Sequence, residues 1–519
     1  MPGFDLRMGI DVGGTNTDAV IMDRDDQLLA KAKVAGTPNV TGGIDDAITT
    51  VLAAPGVDPT RITHVMLGTT HATNAILERR KLGKVAVIRI GSPATHAVRP
   101  LFGWPEELRQ VISVGETIVG GGIEFDGRDL APFDAEAVAR FLAKVGSTAD
   151  GVAICSVFAP VSARHELQAQ EVVRRELGPI HVSLSHQIGS LGLLERENAT
   201  VLNAALVGVA REVTAAVRTS LRSHDLDPVT FFAQNDGTLM ALDYAIQYPV
   251  LTIGSGPANS IRGAGFLTRA TDAVVLDVGG TSSDVGVLIG GFPRESSQGV
   301  EIGGVRTNFR MPDLVTIAIG GGTVLHGKSG CLRLGPDSVG YRIQQEALVF
   351  GGSTLTLTDA AVAAGRTELG SCRPPLSIRQ LATDALHKSD QVLAEAIDRV
   401  KTSRADCLLI AVGGGSVLLP DRIPGVSEIH RPAHFDVANA IGATIAAVSG
   451  QVDRIAQLGV GGREAALAQA TDEARQQAIL AGADPSAVEV VEIEEIPLAY
   501  LTTPAVRLRV KAVGPLGTQ

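Results

Sequence analysis

The sequence predicts a two-lobed α/β protein whose lobes are related halves of one duplicated fold. The string DVGGTNTD at residues 11–18 recurs as DVGGTSSD at residues 277–284, with six of eight positions identical. Each copy lies between two apolar runs of strand character, which predicts the same hairpin in each half. The chain also has 59 glycines and only 3% aromatic residues, a composition typical of α/β proteins with many tight turns.

Strand and helix patterns alternate along the first half of the chain. The apolar runs around the first string predict a three-strand meander, followed by a helix near 43–54 and a strand at HVMLG. Further on, GVAICSVFA (151–159) predicts a buried strand. The stretch HELQAQEVVRREL (165–177) predicts a helix that ends at Gly178-Pro179.

The second half begins with a predicted helix at 195–222 and restarts the meander at residue 273. The tail holds a polar, Ala-rich helix and two strand runs, VEVVEIEEI and AVRLRVKAV. These patterns predict an N-terminal lobe at 1–187, a second lobe at 188–460 and a small α+β C-terminal extension at 461–519.

Bulk composition excludes several classes of protein. The formal net charge of −11 disfavours nucleic acid or an anionic membrane as the main partner. Four cysteines without CxxC spacing argue against a disulfide or zinc framework and suit a reducing compartment. The start MPGFDLRMGI has no signal-peptide pattern, and no uninterrupted apolar run reaches 18 residues. We therefore expect a cytoplasmic protein without a membrane-spanning helix.

The repeated string predicts a phosphate site. Two glycines in a hairpin turn permit positive φ and let bare backbone N–H groups face an anion, and the threonine hydroxyl adds a donor. The leading aspartate emerges from the strand end, where it can hold a hydrated Mg²⁺. One such turn is most often a plain hairpin, but two together would hold a triphosphate from both sides of a cleft. The predicted phosphate-binding residues are Gly13, Gly14, Thr15, Asn16, Gly279, Gly280, Thr281 and Ser282.

A third glycine run predicts where an adenosine would lie. CLLIAVGGGSVLLPD (407–421) reads as a buried strand that ends in Gly413, Gly414 and Gly415. The following stretch HFDVANAIGATIAAVSG reads as a helix rich in small residues. In a duplicated nucleotide-binding fold, this turn would present bare backbone to the adenosine. The alternative is a plain glycine-rich strand–helix connection.

The order of these motifs resembles the hydantoinase/oxoprolinase family, within the superfamily of actin, sugar kinases and heat-shock chaperone ATPases. The resemblance implies a ribonuclease H-like, actin-like ATPase fold and covers about residues 5–450. The region LRLGPDSVGYRIQQEALVFGG (332–352) departs from the family pattern, and the chain resembles the short branch of the family. The segments that carry the resemblance are GIDVGGTNTDAVIMD, LGTTHATNAILERR, IGSLGLLERENATVLNAAL, GSGPANSIRGA, LDVGGTSSDVGVLIGG, DLVTIAIGGGTVLH and GGSTLTLTDAAVAAGR.

What the resemblance implies is ATP-dependent opening of a cyclic amide or imide, such as a hydantoin, oxoproline or lactam. ATP and Mg²⁺ are the expected cofactors, with Asp11 and Asp277 catalytic and Asp11, Asp277 and Asp284 assigned to the metal. Asp18 and Asp284 either support the metal from behind its direct ligands or hold the hairpins together. Related members are carboxylase subunits, so a second subunit is expected. The alternatives are a small-molecule kinase, an ATP-dependent carbonyl-activating subunit of a carboxylase-like complex, and a non-enzymatic ATP-gated scaffold.

Two further strings invite a functional interpretation. In GTTHATN, Thr69, Thr70, His71 and Asn74 lie between a strand end and a helix start, and we predict either helix capping or a substrate-facing loop. The string at 322–329 satisfies the P-loop pattern GxxxxGK[ST]. A P-loop must open a helix, whereas here a short strand broken by Gly and Pro follows. We predict that Lys328 lies at a hairpin tip.

Overall fold

A computed structural model describes residues 6–36, 40–189, 191–296, 299–327, 331–458, 462–498 and 504–517. The chain begins with the predicted meander, in which the first two strands pair antiparallel with Asp11 opposite Asp18. Lys328, predicted to lie at a hairpin tip, falls outside the described residues. The first elements are β1 Leu6–Val12, β2 Asn16–Met22, β3 Leu28–Ala35, α1 Val40–Leu52, β4 Ile62–Thr69 and α2 His71–Glu78.

A separate four-stranded parallel sheet follows, in the order β6-β5-β7-β8. The predicted helix over 165–177 is confirmed, and it ends where Gly178 adopts a φ of +69°. The elements here are β5 Val85–Ser92, α3 Glu106–Ile112, β6 Ser113–Gly120, α4 Ala135–Val145, β7 Gly151–Ser156, α5 Arg164–Leu177 and β8 His181–Leu184.

A 31-residue helix, α6, then crosses the molecule and is buried over most of its length. Among the described residues it alone is long and apolar enough to span a membrane by length and composition, and 72% of that apolar window is buried inside the protein. Such burial is what a core helix shows, so the match is weak evidence for a span. The elements of this region are α6 Leu193–Ser223, β9 Val229–Ala233, β10 Leu239–Ala241, α7 Leu242–Gln247 and α8 Ser255–Thr268.

The second lobe repeats the hairpin of the first. β11 pairs antiparallel with β12, placing Asp277 opposite Asp284, and runs parallel to β19. Its elements are β11 Ala273–Val278, β12 Ser283–Ile289, β13 Phe292–Pro293, β14 Val300–Ile302, β15 Val305–Thr307, β16 Leu314–Ile317, β17 Thr323–His326, β18 Arg333–Ser338, α9 Ile343–Glu346, α10 Leu357–Ala363, α11 Arg379–Val400, β19 Cys407–Val412, β20 Val426–His430 and α12 Ala438–Thr444.

The end of the chain returns to the first lobe. Strands β21 Val448–Gln457, β22 Glu489–Pro497 and β23 Ala505–Gly514, with helix α13 Gly462–Leu480, complete the element order. The nine-stranded sheet runs β22-β23-β21-β10-β9-β4-β1-β2-β3. Sheet membership therefore does not follow the predicted boundaries at 187 and 460, because β9, β10 and the C-terminal strands extend the sheet that begins at Leu6.

One predicted helix is shorter than expected. The stretch from His434 to Gly450 was predicted to be helical throughout, but α12 ends at Thr444 and the residues from Val448 belong to β21. A Cβ on Gly450 would collide with the backbone of Ala478 in α13. The small residues that favour a helix here instead allow a strand to lie directly beneath α13.

Two helices with small residues join the lobes. A Cβ on Gly263 of α8 would collide with the Ala438 carbonyl, and one on Gly442 of α12 would collide with the Asn259 carbonyl. The backbones of α8 and α12 therefore touch without side chains between them. Because α8 leads into β11 and α12 leads into β21, this contact joins one lobe to the other at the base of the cleft.

Candidate nucleotide cleft

The two DVGGT turns have the same geometry. Gly13 N donates to Asn16 O at 3.0 Å, and Gly279 N donates to Ser282 O at 2.9 Å. The expectation of positive φ is wrong, because none of the four turn glycines has a φ in that region. What requires glycine is space, since a Cβ on Gly280 would lie 2.9 Å from the Thr15 methyl carbon. The two turns thus touch each other, one from each lobe.

A cavity of about 540 Å³ opens where these turns meet. All eleven predicted phosphate and adenosine positions lie along its wall, together with the four aspartates of the repeated strings. Five aspartates and one lysine, Lys33, carry the charge of the described lining. The structure therefore brings together the residues that the repeated strings predicted, in one strongly acidic cleft.

Asp11 is the most unusual of these aspartates. Its side chain is 4% exposed, and Oδ2 accepts a hydrogen bond from Asn439 Nδ2 at 2.8 Å. Oδ1 is buried without a hydrogen-bond partner among the described residues. Burial, followed by repulsion from Asp18, raises the pKa of Asp11 to about 7. A cation beside Oδ1 would remove that cost.

The other aspartates differ in how they are compensated. Lys33 Nζ lies 2.7 Å from both carboxylate oxygens of Asp18. Asp277 Oδ2 accepts a hydrogen bond from Ser260 Oγ at 2.5 Å, and loss of solvent raises the pKa of Asp277. Asp284 Oδ1 accepts one from Thr316 at 2.6 Å, and loss of solvent raises the pKa of Asp284 to about 6. Of the four aspartates in the repeated strings, only Asp18 has a described cation in direct contact.

These carboxylates fit a hydrated magnesium ion better than a bare one. Within the described ranges, no group of three or more His, Cys, Asp or Glu side chains is close enough to enclose a metal. Mg²⁺ characteristically keeps several waters and binds through one or two carboxylates together with substrate phosphates. The unpartnered oxygen of Asp11 and the raised pKa values are consistent with that mode. The assignment of Asp11, Asp277 and Asp284 to a metal stays a prediction.

The third glycine run lines the same cleft. Gly413 has a φ of +80°, and a Cβ there would collide with Asp277 Oδ1. A Cβ on Gly415 would lie 3.0 Å from the Gly279 carbonyl oxygen. Apolar side chains of Ile343, Phe350 and Leu418 also line this end. Bare backbone beside an apolar wall suits the flat, apolar face of a purine.

The four predicted substrate residues separate into two pairs. Thr70 lines the cleft, and Asn74 Nδ2 lies 3.4 Å from Thr70 Oγ1. Thr69 is buried, and its hydroxyl lies 2.8 Å from His71 Nδ1. His71 borders a small cavity with Leu206 and Val209 of α6, and burial lowers its pKa. The structure thus places Thr70 on the cleft wall with Asn74 behind it, and it places Thr69 and His71 on the wall of the small cavity instead.

The sequence reasoning missed three cleft residues that contact the aspartates of the repeated strings. Lys33 lies in an alternating strand and Asn439 in a helix of small residues, and neither position carries a motif. The one available signal for Asn439 is an isolated polar residue on an apolar helix. Ser260 lies within GSGPANSIRGA, a segment that carried the family resemblance, but its contact with Asp277 depends on how α8 packs. The P-loop alternative is not supported, because the next described element after β17 is β18, a strand that pairs antiparallel with it, where a P-loop requires a helix.

Comparison with known proteins identifies the family. The family model described as the hydantoinase/oxoprolinase N-terminal region matches residues 7–177, and the hydantoinase/oxoprolinase model matches residues 196–370. Together the two matches span about two thirds of the chain.

Three relatives illustrate the range of similarity. Caprolactamase subunit alpha of Pseudomonas jessenii is 27% identical over 84% of this chain and 65% of its own. A chain of the solved ATP-dependent caprolactamase from that organism superposes with a TM-score of 0.76 at 20% identity, covering 98% of this chain and 88% of that chain. 5-oxoprolinase 1 of Arabidopsis thaliana is 28% identical over 69% of this chain but only 31% of its own.

A nucleotide-free structure of acetone carboxylase, which concerns ATP-dependent acetone carboxylation, superposes with a TM-score of 0.73 at 16% identity. The superposition covers 99% of this chain and 88% of that chain. These superpositions place the chain in the actin-like ATPase fold, as predicted. The chain spans less than two thirds of the length of the curated relatives named above. The chain belongs to the hydantoinase/oxoprolinase family.

Proposed function

We propose that this chain is the ATP-handling part of an enzyme that opens a cyclic amide or imide. The observation that carries the proposal is the contact between Thr15 and Gly280, which sets the two phosphate turns against each other above acidic, partly uncompensated side chains. Relatives named caprolactamase and 5-oxoprolinase support a cyclic amide as the substrate class.

Each group in the cleft has a proposed role. The backbone N–H groups and hydroxyls of the two turns bind phosphate oxygens, and Asp11 and Asp277 hold the water shell of Mg²⁺. ATP supplies the phosphoryl group that converts a poor amide electrophile into an activated one. The residues of the protein contribute position and charge neutralisation, which is what phosphoryl transfer demands of an enzyme. Closure of the lobes about α8 and α12 would keep water out.

A heavy-oxygen experiment tests this mechanism. If the carbonyl oxygen of the amide is phosphorylated, a first water adds to that carbon and the ring nitrogen leaves as the amine, which opens the C–N bond and leaves an acyl phosphate. A second water attacks the acyl carbon, and the original carbonyl oxygen then leaves with the phosphate. A substrate labelled with heavy oxygen at its carbonyl should therefore yield labelled inorganic phosphate, one label for each ring opened. Unlabelled phosphate together with labelled product would contradict carbonyl phosphorylation. A stable phosphorylated product would instead indicate the kinase alternative.

The second candidate is an ATP-dependent carbonyl-activating subunit of a carboxylase-like complex. The superposition on acetone carboxylase over 99% of this chain favours keeping it. Both candidates predict phosphate release that depends on a carbonyl compound, and a scaffold does not. Measuring phosphate release with ketones and with cyclic amides, each with and without bicarbonate, separates the two enzymes. Phosphate release stimulated by amides without bicarbonate supports the proposal. Phosphate release stimulated by ketones only when bicarbonate is present supports the alternative.

We also propose that this chain works with a second subunit in the cytoplasm. The name caprolactamase subunit alpha denotes one chain of an assembly, and this supports the proposal. The purified chain alone should show weak or no ring opening. Affinity purification from the native cell, followed by mass spectrometry, should recover a stoichiometric partner. Full ring-opening activity of the single chain would rule out the requirement.

A further inference from the structure

A second cavity, of about 660 Å³, lies outside the nucleotide cleft. We call it the chamber, and its walls come from the loop 159–163, residues 186–189, the turn 234–236, strand β21 and helix α13. Its volume is within the range of about 300–1,000 Å³ that small-molecule sites occupy. None of the motifs that predicted the nucleotide cleft lies in it.

The charged groups of the chamber wall are already paired within the protein. Asp236 lies 2.7 Å from Lys511 Nζ, and it also accepts a hydrogen bond from Gln451 at 2.6 Å. Arg454 contacts Glu473 at 2.9 Å, and Arg310 contacts Glu295 at 3.1 Å. A charged ligand would have to compete with these pairs. The wall is therefore matched to a small neutral ligand.

The groups that remain uncommitted include amides, apolar side chains and the buried Nε of Arg454. The side chains of Gln187, Gln469 and Gln477 line the chamber and form no hydrogen bond to another described residue. Leu251 and Val452 add apolar surface. A ligand that fits this lining has an amide-like polar edge and a hydrocarbon body, which is the chemistry of a cyclic amide.

His186 gives the chamber one oriented hydrogen-bond acceptor. Its Nδ1 lies 2.6 Å from Glu166 Oε2, and the Glu166 side chain is completely buried. Glu166 also accepts hydrogen bonds from Ser156 N at 2.8 Å and Ser185 Oγ at 2.5 Å, which fix its carboxylate. A carboxylate partner places the proton of neutral imidazole on Nδ1 and leaves Nε2 as an acceptor. Nε2 has no hydrogen-bond partner in the described part of the chain.

The chamber and the nucleotide cleft meet at the first turn of α8. Asn235 lines the chamber, and its Oδ1 accepts a hydrogen bond from Gly254 N at 2.7 Å. Two residues further along, Gly256 lines the nucleotide cleft. One helical turn therefore separates the two cavities.

We propose that the chamber is the holding site for the cyclic amide, in which the amide N–H donates to His186 Nε2. Glu166 orients the imidazole, and the side-chain amides of the wall face the amide carbonyl. This inference rests on the proposed function for its substrate class. It adds a place for the substrate, beside the nucleotide cleft rather than within it, and a positioning residue, Glu166.

The test measures binding of two probes to the full chain by calorimetry, without nucleotide and at about pH 8. The probes are ε-caprolactam and its N-methyl derivative, which lacks the N–H. One hydrogen bond corresponds to roughly a tenfold difference in affinity. The wild type should therefore bind caprolactam about tenfold more tightly than the N-methyl probe.

The variant His186→Asn keeps an N–H donor for Glu166 but removes the distal acceptor, so it should bind both probes with affinities within about twofold of each other. The matched control is His387→Asn, on the exposed face of α11, which should discriminate as the wild type does. Equal discrimination by wild type and His186→Asn, or no binding of either probe, would overturn the inference. Phosphate release stimulated by caprolactam in that case would leave the proposed function standing.

Discussion

The nucleotide cleft and the chamber are both lined by buried charged side chains, but the charge is left uncompensated in the cleft and is paired with an opposite charge in the chamber. In the cleft, Asp11 Oδ1 has no hydrogen-bond partner among the described residues, and burial raises the pKa of Asp11 to about 7. In the chamber, burial alone would raise the pKa of Asp236, but contact with Lys511 lowers it to about 2. Uncompensated negative charge favours a cationic ligand such as Mg²⁺, whereas compensated charge favours a neutral one. This difference supports a nucleotide in one cavity and an amide in the other.

A smaller difference separates the two repeated hairpins. On the third strand of each meander, the residue paired with Asp18 is Lys33, and the residue paired with Asp284 is Thr316. The turns are alike, but the neighbouring strands give one aspartate a cation and the other a hydroxyl. Duplication thus supplies the shape of the site twice, and the residues beside it make the halves unequal in charge.

The largest expected effect, on the free energy of unfolding, comes from removing the cation that neutralises a buried carboxylate in the chamber wall. Lys511→Met leaves the carboxylate of Asp236 without its cation, and it should lower the free energy of unfolding by about 3–5 kcal/mol in urea titrations. The double variant Asp236→Asn/Lys511→Met should recover most of that loss. A double variant as unstable as the single one would show that the pairing is not the source of the effect.

The next effect concerns the acidic cleft. Asp11→Asn and Asp277→Asn should each reduce amide-dependent ATP turnover on the order of 100-fold, because the charge that holds the metal is lost. Asp243→Asn, at a side chain that is 89% exposed, serves as the control and should keep wild-type turnover. Turnover is measured as released phosphate. Wild-type rates in both cleft variants would remove these carboxylates from the mechanism.

The two cavities should also differ in pH dependence. A folded-state pKa of about 7 for Asp11 means that the ligand-free protein binds an extra proton when folded. Its stability should therefore fall as pH rises from about 4 to about 7, by at most about 1.4 kcal/mol per pH unit. For Asp236, with a pKa of about 2, the contribution is present above about pH 4 and is lost below it.

Urea unfolding in the presence of a chelator is measured between about pH 5 and pH 8, where Asp236 does not titrate. Asp284, with a pKa of about 6, does titrate there, so the Asp11 contribution is the difference between the wild-type and Asp11→Asn profiles. Asp11→Asn should have a flatter profile than the wild type and should be the more stable of the two at the upper end of the range. Parallel profiles would mean that Asp11 is not the group responsible.

The smallest effect tests the inequality of the hairpins. Thr316→Lys would give Asp284 the cation that Lys33 gives Asp18, and Thr316 is exposed, so the longer side chain can be accommodated. The pKa of Asp284 should fall below about 6, and the Mg²⁺ concentration needed for half-maximal turnover should rise a few-fold. Thr316→Gln, which adds length without charge, should leave the Mg²⁺ requirement unchanged.

The sequence by itself determined the repeated local elements and the family. Both hairpins, the strand before Gly413 and the helix ending at Gly178 were predictable because their patterns depend on neighbours a few residues apart. The string DVGGT also predicted that Asp11 and Asp277 would share a cleft. These features are local, or they are repeated, and repetition makes a distant contact visible in one chain.

Only the tertiary structure decided which remote residues complete each site. Asn439 lies 428 positions from Asp11, and their hydrogen bond exists because α12 packs on α8 through glycine contacts. His71 turns toward α6 because an apolar surface was available there. The C-terminal strands join the first sheet because β10 offers β21 a free edge, and the chamber forms where they meet it. Such contacts depend on backbone spacing between distant elements, which no local pattern encodes.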